Sequence, residues 1–157
     1  MQPAASVASG LLSQALGRPG SATKQSVEIL GHDRLLGEDG IDTVFGGTGN
    51  DSIEGGADDD VLNGQDNDDS ILGGDGDDLL NGGDGVDRLV GDGGADLLRG
   101  DAGDDSLDSG ASNDQLRGGA GTDDLDGGTG PDRVSEEGDT NFTIIGMQLR
   151  GCPKRNR

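Results

Sequence analysis

Gly46-Gly47-Thr48-Gly49-Asn50-Asp51-Ser52-Ile53-Glu54 is one nonapeptide of a pattern that runs through most of this chain. Its aspartate recurs every nine residues, twelve times, with no insertion or deletion. The positions are Asp33, Asp42, Asp51, Asp60, Asp69, Asp78, Asp87, Asp96, Asp105, Asp114, Asp123 and Asp132. Two residues after each stands a branched apolar residue: Leu35, Val44, Ile53, Leu62, Ile71, Leu80, Leu89, Leu98, Leu107, Leu116, Leu125 and Val134. A fixed short period describes one small structural unit stacked on itself. A carboxylate in every unit points to a cation between the units.

With the aspartate as position six, glycine fills position one in ten of twelve units, the exceptions being Glu28 and Ser109. It fills position four in nine, the exceptions being Asp58, Asn67 and Ser112, and position two in seven. Asp and Asn are the non-glycine residues that best tolerate a left-handed backbone, so position four is expected to have positive φ. Position two reads as looser. Five units match at every Gly and Asp position. They contribute Gly46, Gly47 and Gly49; Gly73, Gly74 and Gly76; Gly82, Gly83 and Gly85; Gly118, Gly119 and Gly121; and Gly127, Gly128 and Gly130. The other three positions read x-U-x, where U is the branched residue, and predict a very short strand with one inward side chain. Six turn residues and three strand residues per unit make a flattened spiral, with two units to a coil of 18 residues.

Composition alone argues for disorder. The 157 residues include 33 Gly, no Trp, no Tyr and two Phe, with a net charge of −21. All 32 acidic residues lie between Glu28 and Asp139, where five arginines stand against them, a balance of about −27. Such a surface repels nucleic acid and anionic membranes and attracts cations. One His and one Cys leave no ligand pair for zinc or copper, whereas carboxylates and carbonyls on glycine turns suit Ca²⁺. No apolar run approaches the ~20 residues of a membrane span.

The chain divides into a leader (1–27), the repeat array (28–135) and a tail (136–157). Ala4–Leu16 reads as a short amphipathic capping helix and matches a secretory signal poorly, since no Lys or Arg precedes it. In the tail, Asn141-Phe142-Thr143-Ile144-Ile145 alternates like a strand placed to cap the other end. His32 and the position-five acids Asp59, Asp68, Asp77 and Asp104 read as solvated side chains. No nucleophile–base pair is present, so the chain reads as non-enzymatic.

The pattern Gly-Gly-x-Gly-x-Asp-x-U-x resembles the repeats-in-toxin (RTX, hemolysin-type) calcium-binding family of secreted bacterial proteins. The resemblance covers about two-thirds of the chain. It implies an all-β, right-handed parallel β-roll with short non-repeat ends. It also implies Ca²⁺ held between the loop of one unit and the loop two units later, by the position-six carboxylates and backbone carbonyls of the Gly-rich turns. Six stacked turns on each edge leave room for about ten ions. The expected function is calcium binding coupled to folding, in a secreted, extracellular setting. The alternatives are a structural or adhesive spacer on a cell surface, or the appendage of a larger secreted enzyme or toxin. Family members usually carry such an effector domain, and their export signals end in acidic and apolar residues. This tail ends Lys154-Arg155-Asn156-Arg157.

Overall fold

The computed structural model describes residues 13–15, 29–135 and 143–145, and every regular element among them is a strand. In chain order these are β1 (Ser13–Ala15), β2 (Ile29–Leu30), β3 (Arg34–Asp39), β4 (Thr43–Thr48), β5 (Ser52–Ala57), β6 (Val61–Asp66), β7 (Ser70–Asp75) and β8 (Leu79–Asp84). They continue as β9 (Arg88–Gly93), β10 (Leu97–Ala102), β11 (Ser106–Asp108), β12 (Gln115–Ala120), β13 (Asp124–Asp126), β14 (Arg133–Ser135) and β15 (Thr143–Ile145). Odd-numbered strands form one parallel sheet and even-numbered strands the other. From β2 to β14 each strand pairs with the one 18 residues on, as in Ile53↔Ile71 and Leu62↔Leu80, whereas the end pairs β1–β3 and β13–β15 are offset by 21 and 19 residues. The chain is therefore a β-solenoid of about six coils, consistent with a β-roll.

The nine-residue period explains this geometry. An odd number of residues per unit, with a turn in each, sends successive strands to opposite sheets. Every position-eight side chain then points to the shared interior. Leu35 through Leu125 are buried at all eleven of these positions, and Val134 packs partly buried against the end of the column. A core one branched residue deep on each side is thin for so many ordered residues.

The strands are longer than x-U-x. Nine of them run six residues, through positions seven to nine and on through positions one to three of the next unit. The pairing covers positions seven to nine, skips position one and resumes at positions two and three, as in Leu36↔Glu54 followed by Glu38↔Gly56. Position two bends the strand through a left-handed backbone even where the residue is not glycine: Glu38 (φ 75°), Gln65 (83°), Asp92 (70°) and Asp101 (71°). Position four is left-handed as its composition indicates, including Asp58 (78°), Asn67 (78°) and Ser112 (108°).

The ends differ in part from expectation. Within the expected helix Ala4–Leu16, Ser13–Ala15 is a strand pairing with β3, and the rest lies outside the described residues. The free edge of β3 offers unpaired backbone groups, which a strand satisfies and a helix does not. At the other end β15 pairs with β13 through Leu125↔Ile144.

The position-eight column should carry the packing energy. Leu80→Ala is expected to cost about 2–5 kcal/mol in denaturant unfolding of the folded chain. Leu79→Ala, half-buried on the outer face, should cost clearly less. Equal losses would show that the column is not the core.

Candidate metal centre

Eleven of the twelve position-six aspartates, all but Asp132, are buried, from Asp42 at 0% exposure to Asp33 at 6%. The turn of positions four to six carries the chain between sheets, and the aspartate that ends it reaches back inside its own loop. Its two oxygens have different tasks. Oδ1 accepts the backbone N–H of the aspartate one coil earlier: Asp33 N–H donates to Asp51 Oδ1 at 2.8 Å, Asp51 to Asp69 at 2.7 Å, and Asp78 to Asp96 at 2.9 Å. The aspartate's own carbonyl is used by the ladder, as in Ser52 N–H to Asp33 O at 2.9 Å. Oδ2 has no hydrogen-bond partner at any of the twelve positions, Asp132 included. A buried carboxylate oxygen without a partner is costly, and here the cost recurs every nine residues.

Position-one glycine shapes the surroundings of Oδ2. A Cβ at Gly37 would lie 2.8 Å from Asp42 Oδ2, and one at Gly46 would lie 2.5 Å from Asp51 Oδ2 and 2.7 Å from the carbonyl oxygen of Gly64. The same two oxygens, the unit's own Oδ2 and the position-one carbonyl one coil on, converge at Gly55, Gly64, Gly73, Gly91 and Gly100. Close approach of oxygen atoms thus favours glycine at position one. Among the described residues no three His, Cys, Asp or Glu side chains converge as a site of their own. A cation held here would draw on carbonyls as well as Oδ2, a donor set of hard oxygens that fits Ca²⁺.

The carboxyls also act on one another. Burial raises the pKa of Asp60 to about 6 and of Asp69, Asp96 and Asp105 to about 7, with like charges one coil away adding to the rise. Asp51, Asp78, Asp87 and Asp114 are raised as well, burial again being the main cause. The hydrogen bond from the neighbouring backbone N–H opposes burial in every case.

Position five forms a second, exposed column that the sequence did not disclose. Asp59, Asp68, Asp77 and Asp104 are exposed, as solvated charges should be, yet each accepts a backbone N–H one coil later: Asp77, Val86, Ala95 and Thr122 donate at 2.7–2.9 Å. His32 does the same through Nδ1 for the Asn50 N–H at 2.9 Å. Adjacent aspartates therefore reach in opposite directions along the axis, position six backward and position five forward. The signal was the pairing of acids at positions five and six, which periodicity alone does not orient.

These oxygen-lined turns belong to a calcium-binding repeat. Residues 36–69, 63–98 and 99–134 match the family of the RTX calcium-binding nonapeptide repeat (4 copies). The chain belongs to that family. No curated protein and no solved structure matches it. No helix among the described residues is long and apolar enough to cross a membrane.

The raised carboxyls set a pH dependence. A carboxyl whose pKa rises on folding takes up a proton as the coil forms. Its contribution to coil stability is full below about 4 and is lost as pH rises through about 7. Calcium-stripped chain should therefore gain β signal on acidification across that window. Calcium competes with the same protons, so the calcium needed for half-folding should increase as pH falls from about 7 to about 5. Circular dichroism across a pH series with and without calcium reads both trends. A calcium midpoint that does not move with pH would place the ions away from these carboxylates.

Proposed function

We propose that this chain is a calcium-folded structural module of an exported bacterial protein, without catalysis of its own. The ions bind in two columns, one along each edge of the solenoid. One column runs past Asp33, Asp51, Asp69, Asp87, Asp105 and Asp123, the other past Asp42, Asp60, Asp78, Asp96, Asp114 and Asp132. The observation that carries this reading is the set of twelve buried Oδ2 atoms without hydrogen-bond partners, with the position-one carbonyl of the next coil beside many of them. The position-six carboxylates and the carbonyls of the Gly-rich turns, Gly46, Gly73, Gly82, Gly118 and Gly127 among them, are the proposed ligands. Carbonyls at position four, such as those of Gly76 and Gly85, stand where a Cβ at position four of the next coil would lie, and belong to the same turns.

Folding and binding are then one event. A chain with so many glycines loses much backbone entropy on ordering. Its narrow core and its mutually repelling carboxylates do not offset that loss. About ten divalent ions would remove about 20 negative charges and give each Oδ2 a partner. The chain would remain unfolded where free calcium is scarce and fold where it is plentiful, which suits a protein exported before it folds. The folded rod, with its uniform register, serves as a rigid segment of a larger assembly.

Far-UV circular dichroism during a calcium titration tests this reading. Calcium should convert a disordered spectrum to a β-rich one, cooperatively. Mg²⁺ at similar concentration should not, because it demands near-ideal octahedral geometry and gives up its water reluctantly. A β-rich spectrum in excess chelator at neutral pH would contradict the proposal.

A further inference from the structure

Ser109 stands at position one of the unit ending at Asp114, where ten of the twelve units have glycine. At nine of those glycines a Cβ would come within 3 Å of the Oδ2 of the unit's own aspartate. Ser109 carries both a Cβ and a hydroxyl there, and it is fully buried at 0% exposure. The ladder changes at the same point. β11 ends at Asp108 after three residues, as does its neighbour β13 after Asp126, whereas its other neighbour β9 runs six. Beyond it, pairing survives as single bridges from Ala111 to Gly93 and to Thr129. The hydroxyl lies beside the Asp114 carboxyl. Neither Ser109 Oγ nor Asp114 Oδ2 has a hydrogen-bond partner. The backbone of Ser109 behaves normally: its carbonyl stands beside Gly91 and Asp96 Oδ2, as a position-one carbonyl does elsewhere.

We propose that Ser109 closes the cation site of Asp114, leaving a gap in one ion column between Asp96 and Asp132; this rests on the calcium reading above. Ca²⁺ needs its oxygens at about 2.3–2.6 Å, and the hydroxymethyl group stands where Oδ2 and the neighbouring carbonyl would otherwise converge on the ion. The Ser109 side chain fills the space beside the carboxylate, so the turn closes without an ion. The site of Asp96 stays open because it uses only the carbonyl of Ser109. The two edges of the solenoid are therefore unequal: one column is continuous from Asp33 to Asp123, and the other is interrupted near its C-terminal end.

Calorimetric calcium titration of the full chain carrying Ser109→Gly or Ser109→Ala tests the proposal. Ser109→Gly should bind about one more ion than the parent and fold at lower calcium, whereas Ser109→Ala keeps the Cβ and should bind as the parent does. Asp114→Asn should leave the parent's stoichiometry unchanged and cancel the gain in the Ser109→Gly background. An unchanged stoichiometry in Ser109→Gly would overturn the proposal while leaving calcium binding in place. A loss of one ion in both Ser109 variants would overturn it too, by making the hydroxyl a ligand. A parent chain that takes up no calcium would overturn the calcium reading and this proposal with it.

Discussion

The structure depends on one recurring conflict: a buried carboxylate in every turn, stacked on its own kind one coil away. Parallel strands lie about 4.8 Å apart. At that spacing two carboxylates repel by on the order of 3 kcal/mol at an effective dielectric of ~20. The arrangement tolerates this because each carboxylate is shared between two tasks. Oδ1 ties its coil to the preceding one through a backbone N–H, and Oδ2 is left facing oxygen-rich space. The first task fixes the register of the solenoid. The second leaves a buried negative oxygen that a positive ion would satisfy.

The other features follow from that division. Position-one glycine lets Oδ2 approach a neighbouring carbonyl, and Ser109 alone among the described position-one residues buries a side chain there. Left-handed backbone at positions two and four gives the bends that bring six residues round one carboxylate. The position-eight column fills the interior, one branched residue deep on each side. Surface ion pairing adds little. The exposed Arg34–Glu54 contact at 3.5 Å is of a kind worth a fraction of a kcal/mol.

Much of this was legible in the sequence because a nine-residue period leaves few geometries. The period gave the two-sheet coil, the inward column from Leu35 to Leu125, and the placement of every aspartate on one of two edges. Asp58 and Asn67 at position four disclosed its positive φ. Position two misled, because Glu38, Gln65, Asp92 and Asp101 are not residues that advertise a left-handed backbone. Strand length was underestimated because the glycines of positions one and two read as turn, whereas parallel pairing carries the chain through them. Which oxygen of each aspartate is committed to the backbone depends on the neighbouring coil, and no local pattern encodes it. Tertiary pairing likewise overrode local preference at Ser13–Ala15, where an exposed sheet edge recruited a strand from a helix-like segment.

The central claim is that the inner carboxylates, not the exposed position-five acids, hold the ions. A crystal structure of the calcium-loaded chain, with anomalous scattering used to locate calcium, tests it most directly. The account predicts two columns of peaks inside the turns, about 4.8 Å apart along the axis, each beside a position-six Oδ2 and a position-one carbonyl. Peaks confined to the outer surface beside Asp59, Asp68, Asp77 and Asp104, with the interior of the turns holding none, would contradict it.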